Sequence, residues 1–252
     1  MKILNRTLFG AIPATSHAKV VDALGRAIVA GELAEDEVLP GDPVLTARFD
    51  VSRTVLREAM KTLAAKGLIR AKSRVGTQVN RRELWNFVDR DVIAWRMQRG
   101  VDTEFVRQLS EMRLALEPAT AALAARHATS DEIIRLYNIA ARMDDRSHTR
   151  ESFAEVDLEF HLAVAAMSRN PFIRSVSSLV EAALAVSFRI SSPALSPERI
   201  MQSASTHLRI ARVIADHDEE GAAAAMRQVI VEGAERACEA LAREGGGAIV
   251  IS

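Results

Sequence analysis

The sequence predicts a mainly α protein in two parts: a small N-terminal domain with one β-hairpin, then an all-helical bundle. Three observations predict it. Residues 39–79, LPGDPVLTARFDVSRTVLREAMKTLAAKGLIRAKSRVGTQV, hold two short helix patterns around a tight turn, followed by two β-prone segments. From Asp102 onward strand signals disappear and helix caps recur. Charge also divides: residues 1–82 carry 14 Lys and Arg against 8 Asp and Glu, and the remainder carries 19 against 25.

The first helix is expected from Ala18 to Gly31, with Val20, Val21, Leu24 and Ile28 on an apolar stripe that Leu33 extends. A second runs from Val44 to Phe49. The third begins at Val51-Ser52-Arg53, where the Ser52 hydroxyl can accept from the free N–H groups of the first turn. In it Leu56, Ala59, Met60 and Leu63 share one face, while Arg53, Arg57 and Lys61 stack at i, i+4, i+8 on the other. Gly67 ends it. Strands Leu68–Lys72 and Thr77–Asn80 follow, joined by a basic turn with Arg74 and Gly76.

Helix, turn, cationic helix and basic hairpin in that order make a winged helix-turn-helix over residues 1–80, and it should bind double-stranded DNA. Its third helix suits the major groove and its wing the backbone or minor groove. Basic charge confined to this end supplies a phosphate-seeking field, and the acidic remainder should stay off the DNA. One such helix touches few base pairs, so a homodimer on an inverted repeat is expected.

Residues 81–101 form a connector that carries both tryptophans, Trp85 and Trp95, with Phe87, Val88, Val92 and Ile93. A floppy linker would be poor in such residues, so a packed interdomain strap is expected. The bundle then spans 102–244, in roughly six helices. Phe105, Leu109, Met112, Leu116 and Leu123 step at helical intervals. Thr129 caps a helix to about Asp145; others run from Ser152 to Ser168 and from Phe172 to Ile190. Ser196-Pro197 starts one that reaches Asp216, and Asp218 opens the last. The tail 245–252, with three successive glycines, should be loosely ordered.

Composition bounds the class. No run approaches the roughly 20 apolar residues of a membrane span, and the N-terminal segment is a poor secretory signal. The single cysteine, Cys238, excludes an internal disulfide and suits a reducing cytoplasm. With no activating base nearby, it reads as a packed thiol.

The constellation with most chemistry is Asp157-x-x-x-His161, one helical turn apart on one face, with His207 able to close it from a later helix. A carboxylate and two imidazoles suit Zn, Ni, Mn or Fe; equally, an Asp and His at this spacing form a simple hydrogen-bonded pair. An alternative of another class is a metal-dependent hydrolase or lyase built on the bundle, since three ligands leave a position open. Against it, no general base is evident near the trio.

These motifs resemble the GntR family of regulators. Leu39-Pro40, VSRTVLREAM and the glycine wing match its DNA-binding domain, and the rest resembles the FCD effector domain of its FadR branch. The marks there are Arg113-x-x-x-Glu117, Asp157-x-x-x-His161 with Asn170 after it, and a later histidine before A-I-x-x-x-D, matched by His207 in HLRIARVIADHD. The resemblance implies a cytoplasmic, dimeric transcription regulator, a repressor in the first instance, tuned by a small carboxylate. It makes Arg53 and Arg57 the DNA-reading arginines, supported by Ser52, Thr54, Lys61, Arg74 and Gly76. It assigns effector contacts to Arg113, Asp157, His161, Asn170 and His207, Arg113 through its bidentate fork. Asp157, His161 and His207 match three of four usual metal ligands; the fourth position falls at Val229, which cannot bind a metal. The strap WNFVDRDVIAWRM looks like that of galactonate-operon repressors of this branch, and so polar a pocket suits a hydroxylated acid such as an aldonate.

Overall fold

A computed structural model describes residues 15–243. The expectation of a loose tail at 245–252 lies outside the described residues. Those residues divide into two compact units, one closing at Gly100 and the other opening at Val101.

In the N-terminal unit, α1 (Ser16–Ala30) is capped by Thr15, whose hydroxyl accepts from the Ala18 N–H. Helix α2 (Asp42–Phe49) starts two residues earlier than expected, because Pro43 sits in the first turn where no N–H is needed. Helix α3 (Arg53–Ala65) begins after Ser52, whose hydroxyl accepts from the Val55 N–H at 3.3 Å. Strands β1 (Ile69–Lys72) and β2 (Gly76–Val79) pair antiparallel, Ile69 opposite Val79 and Lys72 opposite Gly76. The hairpin reverses through Arg74 at φ 61° and Gly76 at φ 116°, both in the left-handed region. Leu24, Ile28, Leu45, Leu56, Leu63, Leu68 and Val79 form the core.

The expected strap folds as a 3₁₀ turn (Arg82–Leu84) and a helix, α4 (Arg90–Gln98). Both tryptophans join the core of the N-terminal unit. Trp95 lies against Gly25 of α1 so closely that a Cβ at Gly25 would overlap the indole ring, and its Nε1–H donates to Asp22 at 2.9 Å. The Lys66 ammonium, at the end of α3, reaches Asp89 (2.8 Å) and Asp91 (2.7 Å) at the start of α4. Burial would lower the Lys66 amine, but the two carboxylates outweigh it and raise it above its ordinary value.

The C-terminal unit is built around α5 (Thr103–His127), against which α7 (Arg150–Met167), α9 (Ser177–Ser191), α10 (Pro197–Ala215) and α11 (Glu219–Arg243) all pack. Helix α6 (Ser130–Arg142) opens with a reciprocal capping box between Thr129 and Glu132. Asn170 and Ser196 cap α8 (Pro171–Ser175) and α10, each with proline in the first turn. The single helix expected over 172–190 is interrupted at Val176 and becomes α8 and α9. His217 donates from Nδ1 to the Ala125 carbonyl at 2.6 Å, which ties the α10–α11 turn to the end of α5. Phe153, Phe160, Leu136, Ile139 and Met143 are fully buried.

Candidate functional site

In the N-terminal unit, every residue expected at the DNA is on the surface. Ser52, Arg53, Thr54, Arg57 and Lys61 are exposed along the start and outer face of α3, opposite buried Leu56, Ala59 and Leu63. Lys61 pairs with Glu58 at 3.0 Å, and Arg57 approaches the same carboxylate at 3.9 Å. Such surface pairs are worth little and yield readily to a phosphate. Arg74 and Gly76 stand exposed at the hairpin tip. At its base Arg70 bridges Asp36, Gln78 and Asn80, and Arg81 binds Asp36 at 2.7 Å, so polar contacts tie the foot of the wing to Asp36.

The second site is buried in the C-terminal unit. Helix α7 carries Asp157 and His161 one turn apart, and α10 brings His207 across to them. Asp157 is 3% exposed, His161 4% and His207 1%. His207 Nε2 lies 3.1 Å from Asp157 Oδ1, and His161 Nε2 3.7 Å from Asp157 Oδ2. One ligand atom from each of the three falls within 4.8 Å of the others. The Phe160 ring meets His207 edge-on at 5.0 Å and walls off the trio.

The hydrogen-bonding pattern decides what the trio can hold. His207 Nδ1 is 2.7 Å from the Ser203 carbonyl, which can only accept, so Nδ1 carries the proton and a neutral ring presents a bare Nε2. That lone pair faces a carboxylate oxygen. His207 Nε2 and Asp157 Oδ2, together with His161 Nδ1, lack hydrogen-bond partners although fully buried. His161 Nδ1 is nonetheless within ion-pair reach of Glu117 Oε2 at 2.5 Å; distance without alignment makes this an electrostatic contact more than a hydrogen bond. Two imidazoles and a carboxylate converging with unsatisfied atoms fit a divalent cation, and Glu117 and the Ser203 carbonyl would set the ring orientations behind it. Without a cation, the same atoms require protonated imidazole or a ligand's hydroxyls.

Around the trio, Arg113 and Glu117 of α5 form a buried pair one turn apart. Arg113 Nη2 reaches to 3.5 Å from His161 Nε2. Burial pushes the Glu117 carboxyl up, but Arg113 and His161 outweigh it and hold it at about 2. Asp157 is treated the same way: His207, His161 and Arg113 overcome burial and keep it below the usual carboxylate range. With neutral imidazoles the assembly keeps one negative charge in excess, again matching a cation. Asn170 is used as the cap of α8, its Oδ1 accepting from the Phe172 N–H at 3.0 Å. Val229 is on α11, half-buried. A cavity of about 20 Å³, room for one water, opens beside Glu117 and His161 under Leu116, Ile173, Val180 and Met226.

In the sequence Glu117 is visible only as the end of the Arg113-x-x-x-Glu117 mark; its contact with His161 links α5 to α7, which that one-turn spacing does not reveal. The Ser203 carbonyl was not legible, being main chain. Burial pushes the Cys238 thiol up, as expected of a packed and unactivated cysteine.

An exposed cationic helix with a wing, in a chain whose second unit buries a ligand-competent centre, defines a DNA-binding regulator with an effector domain. Comparison with known proteins agrees. Residues 17–79 match the model of bacterial regulatory proteins of the gntR family, and residues 108–232 match the FCD domain. The chain is 36% identical to the Escherichia coli HTH-type transcriptional regulator YieP over 64% of its length and 70% of that protein's. It is 34% identical to the E. coli galactonate operon transcriptional repressor over 63% and 69%, and 28% to the E. coli repressor NanR over 82% and 79%. The chain therefore belongs to the GntR family of transcriptional regulators, with an FCD effector domain. Among solved structures, that of Lar, described as controlling the Listeria monocytogenes agr system, shares the fold at TM-score 0.60 and 22% identity, covering 91% of this chain and 99% of that one. The enzyme alternative has no support: the family and these relatives are regulators. Among the described residues no helix is long and apolar enough to cross a membrane.

Proposed function

We propose that the protein is a homodimeric repressor that reads an inverted-repeat operator through Arg53, Arg57 and the Arg74 wing, and releases it on binding a hydroxylated carboxylic acid of the aldonate class. The observation that carries the effector reading is the pair of bare, buried atoms on Asp157 and His207, with His161 Nε2 turned toward the same carboxylate. Burying them unpartnered costs stability that a packed apolar centre would not. A divalent cation, with the acid's carboxylate or hydroxyl completing its shell where Val229 offers no ligand, satisfies Asp157 and His207 and takes the His161 Nε2 beside them. Zn, Ni, Mn and Fe each suit this donor set. Arg113 and Glu117 hold His161 in place.

Galactonate is the leading candidate because the galactonate operon repressor is among the similar relatives. The cavity beside His161 holds only one water, so a six-carbon acid enters only if the helices around it shift. Occupancy and packing are then coupled, as an effector site needs. Calorimetric titration of D-galactonate into zinc-loaded and chelator-stripped protein, and into Asp157→Asn, tests the reading. Binding in wild type, lost in the variant, is expected; no heat with galactonate or any other aldonate overturns it.

A further inference from the structure

Helix α11 holds an arginine, Arg236, that is partly shut from solvent without a bonded partner. Arg236 makes no ion pair with any described residue, and its Nε is shut from water without a hydrogen-bond partner. Arg113, the buried arginine of this unit among the described residues, is matched by Glu117, whereas Arg236 is half-buried. Burial lowers the Arg236 guanidinium from its ordinary value; Glu232 on the same helix acts most against that, followed by Asp157 and Glu235. The arginine's field thus reaches the trio.

The face it occupies is informative. Met226, Val229, Gly233 and Arg236 succeed one another at three- and four-residue steps and form one stripe of α11. Met226 lines the cavity beside Glu117 and His161. Two turns further along the stripe, a Cβ on Gly233 would find only Arg236 Nη2, at 3.7 Å, within van der Waals reach. Glycine within a helix is less favourable than alanine, and here no crowding requires it. The stripe is left open beside an unpaired arginine. Val229 and Arg236 are ~10 Å apart along the axis, a span that the long arginine side chain largely covers.

We propose that Arg236 is the carboxylate anchor of the effector pocket, which extends along α11 from the trio, over Gly233, to its guanidinium. Arg113, the arginine expected in that role, is already neutralised by Glu117. The acid's carboxylate meets Arg236, and its hydroxyls face Asp157, His161 and His207. This rests on the reading of the bundle as an acid-binding site and names the group that recognises the acid's charge.

The test uses full-length wild type, Arg236→Met and the conservative Arg236→Lys. Without ligand, Arg236→Met should melt at or above wild type, because a desolvated cation whose Nε has no hydrogen-bond partner is removed and the stem's packing kept. Acetate, a minimal carboxylate, should raise the wild-type melting temperature relative to chloride at equal ionic strength, and not that of Arg236→Met. Galactonate affinity should fall by about tenfold or more in Arg236→Met, the loss of a charge-assisted contact, with partial recovery in Arg236→Lys. Zinc should bind Arg236→Met no more weakly than wild type, because removing a cation whose field reaches Asp157 does not disfavour a divalent ion there. Should acetate still distinguish the proteins while galactonate binds neither, the anchor stands and the aldonate reading falls. An Arg236→Met protein that melts several degrees low without ligand, or a wild type no more responsive to acetate and galactonate than the variant, overturns the proposal.

Discussion

The two ends of this molecule use arginine in opposite ways. On the recognition helix the Arg57 side chain is 69% exposed, and its charge is solvated whether or not DNA is present. In the bundle Arg113 is buried at 5% exposure, held chiefly by Glu117 with Asp157 acting in the same sense. A solvated cation costs the fold nothing and can be spent on any phosphate. A buried one must be matched within the protein, so its surroundings become specific. The first arrangement suits a long anionic surface; the second suits one small molecule.

This contrast predicts its largest effect at Glu117. Glu117→Gln leaves Arg113 buried beside a neutral group and should cost about 3–5 kcal/mol of stability. Arg57→Gln, on the exposed helix, should change it by less than about 0.5 kcal/mol. Urea unfolding in chelator-containing buffer compares them. Similar costs for both would mean that the Arg113–Glu117 pair is not doing what its burial implies.

On operator affinity the ranking reverses. Arg53→Ala and Arg57→Ala should each weaken operator binding by about 1–3 kcal/mol and relax specificity, with melting temperatures unchanged. Glu117→Gln, wherever it is still folded, should bind DNA normally. Retardation assays at fixed moderate salt decide this, and full affinity in both arginine variants would remove α3 from the interface.

Lys66 lies between the extremes, half-buried and paired with Asp89 and Asp91. Because its amine is raised above the ordinary 10.5, the pair's stabilisation is complete below that pH and is lost only as pH climbs through the folded-state value. The stability gap between wild type and Lys66→Met should therefore be flat from neutral pH to about 10 and shrink above it. A gap that shrinks below pH 9 would contradict the pairing.

The smallest effect belongs to local structure. Thr129→Ala removes one half of a capping box and should cost about 1 kcal/mol, without touching DNA or effector binding.

Much of this was legible in the letters. Ser52, Thr129 and Ser196 mark helix starts because a hydroxyl before an N-terminal turn has one profitable partner, and that rule is local. The one-turn spacing of Asp157 and His161 is local too. What stayed hidden depends on which helices come together. Trp95 reads as part of a strap until Gly25, 70 residues earlier, is seen to make room for it. The break at Val176 separates two helices across a stretch with no proline or glycine. Glu117 reaches His161, and Arg236 shares the field of Asp157, only through packing between α5, α7 and α11. Periodicity shows which face of a helix is apolar; it does not show which face it meets.

Operator binding under effector control joins the two ends in a single experiment. Fluorescence anisotropy of a labelled inverted-repeat operator should be followed with wild type and His207→Ala, each titrated with D-galactonate at fixed salt and zinc. Wild type should release the DNA as the acid is added, while His207→Ala should bind it with equal affinity and keep it. Wild-type affinity indifferent to the acid, or a variant that releases DNA as readily as wild type, would contradict the account.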